Sequence, residues 1–299
     1  MTRISFQTEF RHALADIERT ALDLMRRQRE VSSGRRLQAP SDDPTAAAAA
    51  VTEHGALAAL DRYEQAGSSV EARLRLVDTV LSDIIEQLTH AQAVATGALG
   101  DTPTQAQREA AAMELAAIRD ALFADLNTSF RGVYVFAGTA STTAPFVRNA
   151  DGTVGAYQGN ASTIAVDIDR GRAVRVTFDG GALVQGSDPQ DVFGILETLR
   201  ADVLAGNTPA IEQGIAALKR VFDRAVQLQS EVGADQKALE IGAVRLTTEK
   251  LAARKRLSTL EDANMAEAIS AMNRAETAYS AALGAAARLT RPSLMDYLR

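Results

Sequence analysis

The sequence predicts a mainly α-helical protein in which the N- and C-terminal arms form a long antiparallel rod or coiled coil, with a small β-rich domain inserted in the middle. Three observations predict this fold class. Apolar residues recur every seven positions near both ends, and the middle carries short β-branched runs separated by glycine. The composition, 46% hydrophobic but only 5% aromatic and without tryptophan, suits close helix packing better than a bulky globular core.

The N-terminal arm is predicted to form one helix with a coiled-coil seam. Its apolar residues are spaced by three and four positions, which places them on a single stripe of a helix. The stripe consists of Phe10, Leu14, Ile17, Ala21, Leu24 and Val31. Four of these residues lie seven positions apart, as in a two-helix seam, so the stripe needs a partner.

A joining loop is predicted over 32–44, where Gly34, Pro40 and small polar residues interrupt the helix. Gly34 is expected to adopt a positive φ. Asp43 before Pro44 predicts the next helix start, because aspartate caps a free backbone N–H and proline has none to leave unpaired. The loop residues expected to matter are Ser33, Gly34, Asp42, Asp43 and Pro44. The pattern leaves open whether this loop is a fixed joint or a flexible hinge.

The same cap-and-proline signal divides the rest of the chain. It recurs at 102–103, 188–189 and 208–209. Helices are therefore predicted over 44–96, 103–130 and 189–205, with a longer one from 209 onward. Between them, over 132–188, alternating β-branched residues bounded by glycine and polar turns predict the β-rich domain.

The C-terminal arm carries a matching seam that changes phase once. The first series consists of Val232, Leu239, Leu246, Ala253 and Leu260, and after Met265 the seam passes to Ile269, Met272, Tyr279, Leu283 and Ala286. The simplest arrangement pairs the two arms, and stripes that remain exposed are expected to be buried against neighbouring subunits. The residues predicted to mediate self-assembly are Phe10, Leu14, Ile17, Leu24, Ile269, Met272, Tyr279 and Leu283. The dipeptide at 291–292, Arg-Pro, is predicted to stop the last helix.

No constellation of residues predicts catalysis, a cofactor site or a metal site. His12, His54 and His90 each stand alone in a helical stretch, without the spacing of metal ligands. The absence of cysteine excludes thiolate sites, and the adjacent Asp42 and Asp43 are explained by a helix start. The net charge of −6 includes no basic block that would bind nucleic acid. The sequence shows neither a signal peptide nor an apolar run long enough to span a membrane.

Three segments resemble the bacterial flagellin-like proteins. VSSGRRLQAPSDDPTAAAAA (31–50) resembles their N-terminal signature, and LEDANMAEAISAMNRAETAYSAAL (260–283) resembles their C-terminal helix. RGVYVFAGTASTTAPF (131–146) is similar to the start of the middle domain in those family members that join the flagellar hook to the filament. The three segments occur in the family's order, and the resemblance extends over essentially the whole chain.

The resemblance implies a structural, non-enzymatic protein of the flagellum, exported unfolded by the type III apparatus and located outside the cell. It implies inner-tube helices over 1–40 (with the joining loop) and 261–299, two halves of a rod over 41–131 and 189–260, and a projecting domain over 132–188. The implied partners are further copies of the chain, the first hook-associated protein, flagellin and a cytoplasmic export chaperone, with no nucleic acid and no membrane.

Two other functions are compatible with the sequence. The opening MTRISFQTEF and the small insert favour the adaptor between hook and filament over flagellin itself, which is the main alternative. A secreted coiled-coil adhesin with a β insert is the second alternative. Polymerisation discriminates among them, because flagellin grows long filaments, an adaptor stops at a thin zone and an adhesin does neither.

Overall fold

The protein is described by a computed structural model over residues 2–100, 103–169 and 171–289, with side chains described for 8–100, 103–169 and 171–288. These residues form seven helices and two small antiparallel sheets, so the predicted mainly α fold is confirmed. The helices are α1 (Thr2–Ser33), α2 (Pro44–Gly97), α3 (Gln105–Leu126), α4 (Gly180–Val184), α5 (Val192–Ala205), α6 (Thr208–Glu261) and α7 (Met265–Leu289). The strands are β1 (Ser129–Phe130), β2 (Val133–Tyr134), β3 (Ala165–Asp169) and β4 (Arg172–Arg175). The chain divides into two compact units, one made of Met1–Leu60 with Thr248–Arg299 and the other of Asp61–Thr247.

The first unit, which combines both ends of the chain, has a thin core built largely from alanine. Helix α1 packs along α7, as the matching seams predicted. None of the described side chains of α1 is fully buried, whereas Ala268 and Ala275 of α7 are. Ala50 of α2 and Ala253 of α6 are buried in the same unit. Small side chains allow helices to approach closely but remove little apolar surface from water, so this core is shallow.

The second unit holds most of the large buried side chains. Leu74, Leu81 and Leu88 of α2 share one continuous hydrophobic core with Val221 and Val232 of α6. An aromatic cluster lies where the middle of the chain meets α5, with ring centroids of Phe146 and Phe193 5.2 Å apart in an edge-to-face arrangement. The concentration of aromatic residues in this part of the sequence is consistent with this deeper core.

The β-rich domain contains less strand than its sequence predicted. Strands β1 and β2 pair over two residues each, and β3 pairs with β4 from Ala165 opposite Arg175 to Asp169 opposite Arg172. Within the predicted β-rich domain, the segment 153–159 contributes only an isolated bridge from Val154 to Arg148. Side-chain hydrogen bonds also hold the irregular backbone of this domain. For example, the Tyr157 hydroxyl donates to the carbonyl oxygen of Phe136 at 2.9 Å.

The predicted helix boundaries are correct at some prolines and wrong at others. Helix α2 begins at Pro44 as predicted, with the Asp43 carboxylate accepting from the Ala46 N–H at 3.0 Å. Pro209 lies in the first turn of α6, which begins one residue earlier. Helix α3 begins after Pro103, because Thr104 caps it in a reciprocal box with Gln107. Residue 102 and the predicted helix stop at 291–292 lie outside the described residues.

Two further boundaries differ from the prediction. Helix α5 begins at Val192 rather than Pro189, because Asp191 is the cap and accepts from the Gly194 N–H at 2.8 Å. The Asp188 carboxylate is instead held by Arg220 and Arg224, at 2.7 and 2.8 Å. Helix α3 was predicted to reach residue 130 but ends at Leu126, and 129–130 belong to β1.

Candidate assembly surface and joint

The predicted self-assembly residues lie on α1 and α7 and are only partly covered by the pairing of these helices. Phe10 and Leu14 of α1 are 43% and 48% exposed, and Ile269 and Leu283 of α7 are each 43% exposed. The other four have intermediate burial, namely Ile17, Leu24, Met272 and Tyr279. Within the described part of the first unit, the helix pair therefore presents an apolar surface to solvent, which is typical of an interaction site.

Two more residues extend this apolar surface beyond the predicted seam. Leu22 and Met25 of α1 are among the most exposed large apolar side chains in the first unit. They lie off the heptad stripe, on the flanks that the seam pattern assigns to solvent. Their signal in the sequence was only the presence of long apolar side chains at positions where a simple two-helix pair needs polar ones.

The joining loop begins where Gly34 ends α1. Gly34 has φ of +68°, as predicted, and its N–H donates to the carbonyl of Glu30 at 3.0 Å. This left-handed residue is the usual end of a helix, because it turns the chain while satisfying a last-turn carbonyl. Ser33 contributes its hydroxyl, which accepts from the Arg35 N–H at 3.2 Å.

The two aspartates of the loop hold its backbone in place. The Asp42 carboxylate accepts from the N–H of Ala39 at 2.9 Å and from Arg26 of α1 at 2.6 Å. These contacts, led by the Ala39 N–H, lower the pKa of Asp42. The Ala46 N–H likewise lowers the pKa of Asp43. Both carboxylates are thus stabilised as anions by backbone donors, which favours a fixed joint over a flexible hinge.

The loop also pairs with the corner between α6 and α7, a contact that the sequence did not predict. The N–H of Arg36 donates to the carbonyl of Glu261 at 2.7 Å, and the N–H of Ala263 donates to the carbonyl of Gly34 at 2.8 Å. The Glu261 carboxylate lies 2.8 Å from His54 Nε2 and 3.5 Å from Arg35 Nη1. Four chain segments therefore meet at Glu261: the ends of α1 and α6, and the starts of α2 and α7.

Two of the three histidines, which stand alone in the sequence, have a carboxylate partner in the structure. His54 contacts Glu261, and His90 Nε2 lies 2.8 Å from a carboxylate oxygen of Glu114. Spacing along the chain could not show these pairs, because each partner comes from another helix. In the part of the chain that the structure describes, no three His, Asp or Glu side chains lie together in a way that could hold a metal ion. No described helix is long and apolar enough to cross a membrane.

A cavity of about 670 Å³ lies in the second unit, between α2, β3 and α6. Gly67, Gly233 and Gly242 contribute to its lining, and Ile168 of β3 lies beside them. Its charged groups pair with neighbours on their own helices, Arg75 with Glu71 and Lys237 with Glu240. The cavity is therefore a gap between helices that lack side chains at the glycines, and its residues form no catalytic arrangement.

Comparison with known proteins identifies relatives of this chain. The family model described as the bacterial flagellin N-terminal helical region matches residues 4–141. Flagellar hook-associated protein 3 of Salmonella typhimurium is 27% identical over 295 residues, which cover 90% of each chain. The protein of the same name from Escherichia coli is 30% identical over 179 residues, or 60% of this chain and 55% of that protein.

A solved structure has the same fold. A putative flagellar hook-associated protein from Vibrio parahaemolyticus superposes with a TM-score of 0.69 at 18% identity, covering 74% of this chain and 100% of that one. Together, these comparisons show that the chain is similar to flagellar structural proteins, in its N-terminal part to flagellin and over most of its length to a hook-associated protein. Within that class the chain resembles flagellar hook-associated protein 3, so the resemblance noted in the sequence is confirmed.

Proposed function

We propose that this protein forms the adaptor zone that joins the flagellar hook to the flagellin filament. One observation carries the proposal: the chain matches a hook-associated protein 3 over 90% of both lengths. The structure supports it through the apolar residues that α1 and α7 leave exposed, since a subunit that functions alone gains nothing from such a surface. Assembly into a ring or helix of identical subunits would bury them.

The proposed partners follow from the same resemblance. They are other copies of the chain, the first hook-associated protein on the hook side, flagellin on the filament side, and a cytoplasmic chaperone before type III export. The protein would act outside the cell, without catalysis or a cofactor. We further propose that 1–40 and 261–299 line an inner tube, that 41–131 and 189–260 form the surrounding rod, and that 132–188 project outward.

The first test is deletion of the gene, with electron microscopy of the cells and a blot of the medium for flagellin. The adaptor function predicts bare hooks and flagellin shed into the medium, both reversed by a plasmid copy. Intact filaments on the deletion strain would contradict it.

Flagellin itself is the second candidate, favoured by the match of residues 4–141 to the flagellin N-terminal helical region. Seeded polymerisation of the purified protein separates the two. Flagellin grows filaments of unlimited length on seeds, whereas an adaptor adds a zone that stops. A deletion strain that makes no flagellin at all would equally favour this second candidate.

A further inference from the structure

Glu261 is a buried charged residue at the end of α6. It is 7% exposed, and the other buried polar side chains found among the described residues are Asp169 and Thr177. A carboxylate is unfavourable at this place for two reasons. Burial removes its hydration, and the C-terminal end of a helix carries partial negative charge. Cationic or donor groups around Glu261 would offset both effects.

Those groups come from segments far away in the sequence. His54 on α2 lies 2.8 Å from one carboxylate oxygen, and Arg35 in the joining loop lies 3.5 Å from the other. Arg36 also reaches the end of α6, where its guanidinium donates to the carbonyl of Leu260 at 3.0 Å. Two arginines beside a helix C-terminus compensate its partial charge as well as the carboxylate.

The corner between α6 and α7 is short. Glu261, which precedes it, contacts the joining loop through both its backbone carbonyl and its side-chain carboxylate. The corner consists of 262–264, with Asn264 capping α7 by accepting from the Ala266 N–H at 3.2 Å. The backbone of Asp262 pairs with that of Arg35 in an isolated β-bridge. Among the described residues, Glu261 is the carboxylate that contacts both Arg35 and His54, so neutralising it removes both contacts.

We propose that Glu261 is an electrostatic latch, whose ionised carboxylate fixes the corner between α6 and α7 against the joining loop. Neutralising it releases the corner and the loop locally, while the helices on either side stay folded. This inference concerns the free monomer and goes beyond the adaptor function, because it holds whatever the chain assembles with. It assigns a conformational role to three residues, Glu261, His54 and Arg35, that lie outside the apolar surface.

Local opening of the joining loop can be measured by proteolysis, because trypsin cleaves after Arg35 and Arg36. The experiment compares the full-length wild type with Glu261→Gln, which keeps the shape and removes the charge. The control is Glu240→Gln on the same helix, where the glutamate is exposed and pairs with Lys237. Tryptic cleavage at 35–36 and hydrogen exchange at the amides of Arg36 and Ala263 are measured together.

The latch predicts that Glu261→Gln raises both cleavage and exchange by about tenfold or more, the effect of losing a charge-assisted hydrogen bond on local opening. His54→Gln, which removes one of two partners, should give a smaller increase, and Glu240→Gln should behave as wild type. Exchange within 61–247 should not change in any variant. If Glu261→Gln matches wild type, or if it loosens 61–247 as much as the loop, the latch is wrong.

Discussion

Asp125 lies near the C-terminal end of α3, where an ionised carboxylate is unfavourable. Burial, and next the nearby carboxylate of Asp83, raise the pKa of Asp125 from 3.8 to about 6. The partial negative charge at the end of the helix acts in the same direction. The folded protein therefore binds this proton more tightly than the unfolded chain does, and its stability falls as pH rises between these two pKa values.

Replacement of Asp125 by asparagine should stabilise the protein near neutral pH. Because the group is partly exposed, the gain is discounted for screening to about 1 kcal/mol in the free energy of unfolding. Urea unfolding at about pH 7 and about pH 3 measures it, and most of the gain should disappear at the lower pH, where the carboxyl is largely protonated in both states. Asp83→Asn should give a smaller gain with the same pH dependence. An equal gain at both pH values would show that the charge of Asp125 is not the cause.

Among the elements, the end of α1 depends on a single backbone conformation. Gly34 is in the left-handed region at φ +68°, and a Cβ built there meets no atom within 4 Å. The space is free, so a side chain at this position is penalised only by the backbone dihedral angle. Gly55 in the interior of α2 also has open space around its Cβ, but it has an ordinary helical φ. Both glycines belong to the first unit, so comparing their alanine variants distinguishes the effect of backbone strain from the effect of packing.

Gly34→Ala should lower the free energy of unfolding by about 1 kcal/mol, whereas Gly55→Ala should raise it by up to about 1 kcal/mol. Thermal unfolding followed by circular dichroism compares both with wild type. The opposite signs are the critical result, because both variants add the same methyl group. Stabilisation by Gly34→Ala would mean that the loop can turn without a left-handed residue.

The sequence predicted helices more accurately than strands, for a physical reason. Helix α2 is specified locally by the Asp43 cap, the proline and the alanines that follow. The β-branched residues around 153–159 carry no comparable local rule, because a strand exists only where a neighbour pairs with it. Asp188 shows how tertiary contacts displace a cap: Arg220 and Arg224 bind its carboxylate, and the helix starts later, at Val192 with Asp191 as its cap.

The assembly surface could be predicted in part, and the joint only poorly. The seam residues of α1 and α7 were visible because heptad spacing is a local pattern. The contact between His54 and Glu261 joins residues 207 positions apart, and no local pattern specifies it.

At the scale of the whole molecule, Leu14→Asp should abolish assembly without unfolding the subunit. Leu14 is about half exposed, so a charge at this position remains hydrated in the monomer. In an interface the same charge would lose its hydration, which costs roughly several kcal/mol if the charge is unpaired. Motility and electron microscopy of a deletion strain that carries the variant measure the effect. Circular dichroism checks that the purified subunit is folded.

The matched control for Leu14→Asp is Met113→Asp. Met113 on α3 is more exposed than Leu14, but it belongs to the second unit and not to the helix pair that carries the proposed surface. This variant should leave motility intact. Normal filaments with Leu14→Asp, or equal loss with both variants, would place the assembly contact elsewhere.

The bond from Arg36 to the carbonyl of Leu260 closes a loop between residues 224 positions apart. The second unit is one continuous stretch, Asp61–Thr247, whereas the first needs both ends of the chain. During synthesis from the N-terminus, α1 therefore waits without its partner until α7 has been made, while the stretch between can already fold. Once folded, that stretch brings the two ends closer and reduces the entropy lost on closure. The pairing of α1 with α7 is thus expected to form last, and truncation within α7 should leave α1 without its partner.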